Sequence, residues 1–309
     1  MTPTSDSETL QRLSRTYEQH QQRAQGLKPR TIRGYWRLIR EFLLEVFGVD
    51  SIDIGRLSPE AVLGFISTAQ IRFCPTTMRL ITTSLRSFFR FLRAEGLGDP
   101  TLLEMVVPSV ACRRLSNIPR GLTDEQLRRL ILSLRTGSLC GYRDRAMVLT
   151  LSMLGIRPGE LAELKLDDID WRRGQLLLGA RKTGRGAALP LPQEVGGAIV
   201  DYLREERPQT NERRVFVRHS SPRIGQAIDA PIVSCAVIRA IRRAGIKPPI
   251  AGAYVLRHTV ANALIRRGTS LKVVADFLGH QHLNTTTIYA KTDIPALREV
   301  ALAWPEVVR

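Results

Sequence analysis

Five side chains of the sequence combine positive charge with one hydroxyl group, in an order that suits phosphate chemistry. They are Arg157 in LGIRPGE, Lys182 in RKTGRG, Arg257 in VLRHT, His280 in LGHQH and Tyr289 in TTTIY. Arginine and lysine bind phosphate oxygens, and a tyrosine hydroxyl can attack a phosphodiester to give a phosphotyrosine that conserves bond energy. The set therefore suggests phosphodiester chemistry on DNA.

Four of these five residues also have an ordinary structural explanation. Arg157 could simply pair with Glu160 one turn further on, and Lys182 could lie in a solvated hairpin turn. His280 could cap a helix end, and Tyr289 could belong to a hydrophobic core. Because no single residue is decisive, the functional hypothesis depends on their order along the chain.

The local sequence gives the two arginines suitable positions. Arg157 follows Gly155, where one predicted helix ends and the next begins, so its guanidinium lies beside free backbone N–H groups that can hold phosphate oxygens. Arg257 lies near the start of an amphipathic helix, on the face adjacent to its aliphatic side. The neighbouring His258 is predicted to be structural.

Composition restricts the partner. The 309 residues include 46 Lys and Arg against 29 Asp and Glu, which gives a formal net charge of +17. Such a basic chain is expected to bind a polyanion, most commonly nucleic acid, although a membrane surface or a ribosome would suit the charge equally well. No apolar stretch reaches the roughly 18 residues of a membrane span, and residues 1–13 do not resemble a secretory signal.

The cysteines do not suggest a metal or disulfide site. They are widely spaced and form no CxxC pair, at Cys74, Cys112, Cys140 and Cys235. Ordinary reduced cysteines are expected in the cytoplasm. The sequence also offers no convincing carboxylate cluster for a divalent ion, so neither a metal nor an organic cofactor is predicted.

Length predicts two domains, since 309 residues exceed what one compact core usually holds. Residues 1–25 are polar and are predicted to form a tail or a loose helix. Residues 26–108 are predicted to form a helical DNA-binding domain. A stretch with two prolines and no clear period places a linker at 109–120, and residues 121–309 are predicted to form the second domain.

The first domain is predicted to be all-helical. Thr31 opens an amphipathic helix, and SPEAVLGFI at 58–66 opens another, with Ser58 as N-cap and Pro59 at the first helical position. A third helix is predicted at 76–95. One face of this helix is expected to point inward, with Leu80, Leu85, Phe88, Phe89 and Leu92. The other is expected to point outward and follow a phosphate backbone, with Arg79, Arg86, Arg90 and Arg93.

The second domain begins with a capped helix. LTDEQL places Thr123 as N-cap and Gln126 at the capping-box position. A helix at 142–154 ends at Gly155, and RPGELAEL starts the next one. WRRGQLLLG and AALPLP are interpreted as a β-hairpin around a glycine-rich basic turn. Further helices are predicted at 193–206, 233–244, 254–267, 270–278 and about 285–290.

Taken together, these motifs resemble those of the tyrosine recombinase, or phage-type integrase, family. LGIRPGEL is similar to its first arginine box, RKTGRGAALPL to its hairpin lysine, AYVLRHTVA to its second arginine box, and LGHQHLNTTTIYAK to the box with the last histidine and the nucleophile. The match covers most of 121–295. It implies a mainly α fold with a small β-hairpin, arranged as a two-domain clamp whose first domain is a helical core-binding domain.

The resemblance also implies roles for the site residues. Arg157, Arg257 and His280 are expected to bind the non-bridging phosphate oxygens, Lys182 to protonate the departing 5′ oxygen, and Tyr289 to attack and keep the 3′ phosphate. No metal is needed, because the arginines supply the positive charge. The implied substrate is double-stranded DNA, and the implied assembly on it is a homo-tetramer.

The second arginine box departs from the family pattern at one position. The family usually reads His-x-x-Arg there, and this chain has Tyr254 three residues before Arg257. A phenol can donate a hydrogen bond but is a poor general base at neutral pH. Tyr254 is therefore included in the candidate site, and an enzyme with a different pH optimum is expected.

Two other functions stay open beside a site-specific recombinase of an integrase or transposon-borne kind. A catalytically silent DNA-binding protein on the same scaffold would fit the departure at Tyr254, and a relaxing enzyme like the type IB topoisomerases would share the chemistry. In this family the segment after the nucleophile often docks on the neighbouring subunit. The apolar strip at 297–304 is expected to do so here, and packing of the strip on its own domain is the alternative.

Overall fold

The structure, a computed structural model, describes residues 4–48, 52–97, 100–111, 120–134, 137, 140–179, 186–279 and 286. The chain divides into two compact units, Met1–Arg113 and Arg114–Arg309, which are described one at a time. The chain is mainly helical with one small sheet, so the predicted fold class is confirmed. Within the described part of the chain, no helix is both long and apolar enough to cross a membrane.

The first unit contains five α-helices among its described residues, and a short 3-10 helix at Ile54–Arg56. Three of them begin with proline, whose fixed φ suits the first helical position, where no N–H donor is needed. The helices are α1 Thr4–Gln25, α2 Pro29–Phe47, α3 Pro59–Arg72, α4 Pro75–Ala94 and α5 Thr101–Val106. As predicted, Ser58 caps α3, since its hydroxyl accepts a hydrogen bond of 3.3 Å from the N–H of Ala61.

Helix α1 belongs to the core of the first unit. The buried Tyr17 ring meets Phe88 and Phe91 of α4 edge-on, with ring centroids 6.3 and 5.3 Å apart. Its hydroxyl forms a hydrogen bond of 2.9 Å with Ser87. Residues 1–25 were predicted to form a polar tail or a loose helix. The helix is present, but it is not a tail, because aromatic packing holds α1 against α4.

One inward position of α4 was also predicted wrongly. Leu80 was expected inside but is 41% exposed. Met78 and Ile81 fill the buried side of that turn instead, because the turn presents residues 78, 81 and 85 to the core at helical spacing. An isolated exposed leucine of this kind is common on protein surfaces.

Three of the α4 arginines that were predicted to face a phosphate backbone contact acceptors within the first unit. Arg86 donates to the carbonyl of Val107 at 2.8 Å. Arg90 and Arg93 point outward as predicted, yet both approach the Glu104 carboxylate, at 2.6 and 3.7 Å. Helical periodicity predicted the direction of these side chains. It could not predict their acceptors, which are the carboxylate of Glu104 in α5 and the carbonyl of Val107 just after it.

The second unit contains seven described helices and a three-stranded sheet. The predicted capping box is present, because Thr123 Oγ1 accepts from Gln126 N at 3.1 Å and Gln126 Oε1 accepts from Thr123 N at 3.0 Å. The helices are α6 Asp124–Leu132, α7 Gly141–Leu154, α8 Pro158–Glu163, α9 Gln193–Glu205, α10 Ala230–Arg243, α11 Tyr254–Arg266 and α12 Leu271–Leu278.

Helix α7 is the centre of the second unit. It packs against α9, α10 and α11 and is buried on nearly every side. Met147, Leu151 and Leu154 belong to its apolar surface, while Arg143 and Asp144 are buried at its first turn. A helix that is enclosed in this way fixes the positions of the segments at both of its ends.

The sheet contains the predicted hairpin. The strands are β1 Ile169–Asp170, β2 Gln175–Leu178 and β3 Ala187–Pro190, in the order β1-β2-β3 with antiparallel pairing. Leu176 pairs with Leu189, and both side chains are buried. The two-residue β1 was not predicted, because so short a strand carries no alternation of its own.

Candidate active site at three helix ends

The candidate site is built on the turn between α7 and α8. Gly155 ends α7 with a φ of 60°, in the left-handed region where residues with a side chain are strained. A Cβ at this position would also lie 3.0 Å from Leu278 Cδ2 and 3.1 Å from Val260 Cγ1. Glycine is thus required for both conformation and space, and the turn places Arg157 directly before α8.

Arg157 is held by one carboxylate and one carbonyl. Its guanidinium donates to Glu160 Oε1 at 2.6 Å and to the carbonyl oxygen of Gly279 at 2.8 Å. The other Glu160 oxygen accepts from the backbone N–H of Arg157 at 2.9 Å. The pairing with Glu160 that was the structural alternative is present, yet 24% of the Arg157 side chain stays exposed to a ligand.

Arg257 is almost fully buried, with 4% of its surface exposed. It donates to the carbonyl of Gly155 at 2.8 Å and to that of Leu278 at 2.7 Å. These oxygens lie at the ends of α7 and α12, where helix carbonyls have no partner within their own helix. Arg257 therefore joins the start of α11 to the ends of two other helices.

The two arginines meet at the end of α12. Leu278 and Gly279 are consecutive, and their carbonyls accept from Arg257 and Arg157 respectively. The partial negative charge of a helix C-terminus favours cations at this point. A carbonyl hydrogen bond does not neutralise a guanidinium, so the two arginines and Glu160 together carry one net positive charge. Such an arrangement can bind an anion.

Tyr254 begins α11 and is half exposed, at 50%. It precedes Arg257 by three residues, and residues at this spacing share one face of a helix. Its hydroxyl can therefore act on a ligand that contacts Arg257. A phenol can donate a hydrogen bond, and the role of Tyr254 at the site stays a prediction.

The surroundings of His258 disfavour the charged form of its imidazole. Burial lowers the pKa of its imidazole, and the adjacent Arg257 lowers the pKa further. The positive charge at the start of α11 is therefore concentrated on Arg257. This agrees with the sequence interpretation of His258 as a structural residue.

Three predicted site residues, Lys182, His280 and Tyr289, lie outside the described residues. Lys182 falls between β2 and β3 in the sequence, and His280 directly follows Gly279. Their roles stay predictions. Among the residues that the structure describes, no group of three or more His, Cys, Asp or Glu side chains could hold a metal ion.

The carbonyl partners of the two arginines were missed by the sequence analysis. A main-chain acceptor has no residue type that a motif could reveal. The one available signal was Gly279, which follows an apolar helix and has a φ of 63°, as a helix-ending glycine does. It marked where α12 ends, but not that Arg157 would reach that end.

Comparisons with known proteins identify the family of the chain. Residues 120–294 match the model of the phage integrase family. The chain is 40% identical to the putative integrase/recombinase y4rA of Sinorhizobium fredii over 290 residues, covering 94% of this chain and 70% of the relative. It is 29% identical to tyrosine recombinase XerA of Thermococcus kodakarensis over 276 residues, covering 89% of each chain.

A solved structure shows the same fold. The XerH site-specific recombinase, in a post-cleavage complex with a palindromic difH substrate, superimposes with a TM-score of 0.68. The match covers 95% of this chain and 85% of the other, at 22% sequence identity.

The family match spans more than half of the sequence, and the chain belongs to the phage integrase family of tyrosine recombinases. The resemblance expected from the motifs is confirmed. The chain is accordingly a site-specific recombinase.

Proposed function

We propose that the chain cuts and rejoins double-stranded DNA through a covalent 3′-phosphotyrosine at Tyr289. The observation that carries this proposal is the meeting of Arg157 and Arg257 at the end of α12, one residue before His280 in the sequence. Two guanidinium groups fixed by carbonyls are suited to the two non-bridging oxygens of one phosphate.

The reaction then proceeds in two steps. In the first, the Tyr289 hydroxyl gives its proton to solvent water, its Oη attacks the phosphorus, the bond to the 5′ oxygen breaks, and Lys182 supplies the proton that this oxygen takes. Arg157, Arg257 and His280 stabilise the charge that develops on the pentacovalent phosphorus. A 5′ hydroxyl from a partner strand then attacks the phosphotyrosine and releases Tyr289, so that no ATP is consumed.

Tyr254 acts as a hydrogen-bond donor to the phosphate or its neighbours. Its half-exposed position one turn before Arg257 supports this role. The family's usual histidine could accept a proton at this place, whereas a phenol at neutral pH cannot do so readily. Position 254 therefore does not act as the proton acceptor, and any proton acceptor in the reaction is a different group.

The partner is double-stranded DNA, and the active assembly is a homo-tetramer. The net charge of +17 supports a polyanionic partner, and the XerH neighbour was solved with its DNA substrate. The described cysteines, Cys74, Cys140 and Cys235, are free thiols, which suits a cytoplasmic protein. The recombinase serves an integrating or transposing element.

Nicked duplexes that tile the DNA flanking the chain's own coding sequence test this proposal. A nick close to the cleavage point releases a short fragment, so the cleaved strand stays attached to the protein. We expect a covalent adduct that survives denaturing electrophoresis for the wild type and is absent for Tyr289→Phe. An adduct of equal yield in Tyr289→Phe would overturn the assignment of the nucleophile.

The same assay separates the other two functions. Specific binding to a duplex without any adduct would indicate the silent DNA-binding protein. An adduct together with relaxation of a supercoiled plasmid, but without exchange between two sites, would indicate the relaxing enzyme. Exchange between two such sites is the result expected for the recombinase.

A further inference from the structure

The segment that enters α6 lies against the helix that carries Arg257. We call residues 120–124 the strap. Leu122 N donates to Thr259 Oγ1 at 2.8 Å, and Arg266 of α11 donates to Asp124 Oδ1 at 2.8 Å. Thr259 and Arg266 are seven residues apart, so they lie on one face of α11. The strap therefore follows that face over two turns.

Gly121 permits the close approach of the strap. A Cβ on Gly121 would lie 2.6 Å from Thr259 Cα and 2.7 Å from Thr259 N. Both are backbone atoms of a helix, so neither can move aside as the end of a side chain could. The backbone of Gly121 is not left-handed, so glycine is needed here for space and not for conformation.

The Thr259 hydroxyl connects the strap to the first turn of α11. It is buried, accepts from Leu122 N, and donates to the carbonyl of Val255 at 2.8 Å. Val255 lies between Tyr254 and Arg257 on the turn that faces the candidate site. The hydroxyl thus donates a hydrogen bond to that turn and accepts one from the strap.

Arg257 fastens the same helix from another direction. Its hydrogen bonds to Gly155 and Leu278 tie the first turn of α11 to the ends of α7 and α12. The position of the guanidinium is therefore set from two sides. The strap fixes the position of the first turns of α11, and the two carbonyls fix the position of the Arg257 guanidinium.

We propose that Thr259 and Gly121 are positioning residues for the reaction, which act by fixing α11 and thereby Arg257. The proposal rests on the proposed function, because the placement of Arg257 matters for rate only if Arg257 contacts the reacting phosphate. Neither residue touches the substrate. Their loss displaces the guanidinium without removing it.

Thr259→Val tests the hydroxyl, with Thr259→Ser as its conservative counterpart. Valine has a similar shape but leaves the buried Leu122 N–H without its acceptor. A misplacement of about 1 Å costs up to about 100-fold in rate, so we expect Thr259→Val to form the adduct about 10- to 100-fold more slowly in a single turnover. Thr259→Ser should restore the wild-type rate, and the affinity for intact duplex should stay unchanged in both variants.

Two further variants separate positioning from general loss of stability. Gly121→Ala displaces the strap while keeping the hydroxyl, and it should slow adduct formation in the same way. Ile199→Val in α9, which packs on α7, removes one buried methylene from the same core. It should lower the melting temperature without changing the rate constant of the folded protein.

The outcomes distinguish this proposal from the one on which it rests. A wild type that forms no adduct would remove the proposed function, and this inference with it. If the wild type and the folded variants Thr259→Val and Gly121→Ala all formed the adduct equally fast, only the positioning role would be overturned. A rate loss in Thr259→Ser as large as in Thr259→Val would also overturn it, because the hydroxyl would then be irrelevant.

Discussion

A buried arginine contacts each end of α7, Arg143 at the amino end and Arg257 at the carboxyl end, but the partners of these two arginines differ. At the amino end, Arg143 and Arg239 share the buried carboxylate of Asp144, with distances of 3.1 and 2.6 Å to its two oxygens. At the carboxyl end, about 16 Å away at 1.5 Å per helical residue, Arg257 donates to the carbonyls of Gly155 and Leu278.

The difference lies in the charge of the acceptor. A buried carboxylate compensates the charge of a guanidinium, and a pair of this kind serves to hold helices together. A carbonyl fixes the guanidinium equally well but leaves its charge to act on an incoming anion. These acceptors of the two buried arginines therefore differ, since Arg143 contacts a carboxylate at the structural end of α7 and Arg257 contacts carbonyls at the end suited to phosphate.

The largest effect on stability is expected from Asp144→Asn. Removing this charge leaves the buried Arg143 uncompensated, and breaking a buried pair costs about 3–5 kcal/mol. We expect the free energy of unfolding in urea to fall by that amount, while the folded protein keeps its rate of adduct formation. The control Asp201→Asn breaks the exposed pair with Arg145 and should cost about 0–1 kcal/mol. Equal losses in both variants would remove the structural role of the amino end.

The largest effect on rate is expected from Arg257→Lys. An ammonium cannot bind both carbonyls and also present a planar fork to a phosphate. We expect adduct formation to slow by about 10²–10³-fold, or about 2.7–4 kcal/mol, as when one transition-state donor is removed. The same change at the other end, Arg143→Lys, should reduce stability and leave the rate unchanged. If the two variants behaved alike in single-turnover assays, the two ends would not differ as described.

Gly155→Ala should have an intermediate effect. Alanine costs about 1–2 kcal/mol in the left-handed conformation, and the contacts of its Cβ with Leu278 and Val260 add about 1–3 kcal/mol of overpacking. Gly174 has the same φ of 60° with no heavy atom within 4 Å of its would-be Cβ, so Gly174→Ala measures the conformational part alone. Thermal unfolding of both variants gives the difference. Equal destabilisation would show that the close approach at Gly155 is unimportant.

The smallest effect concerns pH and the amino end of α7. Burial, together with Arg143, lowers the pKa of His219 from 6.5 to about 4, and Tyr202 Oη bonds to its ring nitrogen at 3.2 Å. Between pH 6.5 and about 4, the unfolded chain binds a proton here that the folded chain does not, so stability falls as the pH falls. His219→Gln removes this titration, so its melting temperature should fall less than that of the wild type between neutral and acid pH. We expect the two falls to differ by about 2–4 °C. Parallel curves for the two proteins would contradict the shift.

Local signals in the sequence predicted much of the fold. Ser58 and Thr123 mark helix starts because their side chains cap orphan N–H groups, and Gly155 marks a helix end because only glycine adopts its φ without strain. The hairpin of β2 and β3 followed from two short apolar runs around a glycine-rich turn. Each of these features is determined by residues close together in the chain.

Features that depend on distant contacts were not predictable in this way. The docking of α1 through Tyr17 and the pairing of Arg90 with Glu104 join residues far apart in sequence. In the candidate site, the residue types of Arg157 and Arg257 were predicted. Their carbonyl partners on α12 were not, because a backbone acceptor is independent of residue type.

Peptide mass mapping of the covalent complex tests most directly whether Arg157 and Arg257 hold the phosphate that Tyr289 attacks. The wild-type adduct is digested with a protease and a nuclease, and the modified peptide is identified by fragmentation. We predict a 3′-linked nucleotide on Tyr289, in wild-type yield for Arg143→Lys and strongly reduced yield for Arg257→Lys. A nucleotide attached to any other residue, or linked through its 5′ phosphate, would contradict the proposed chemistry.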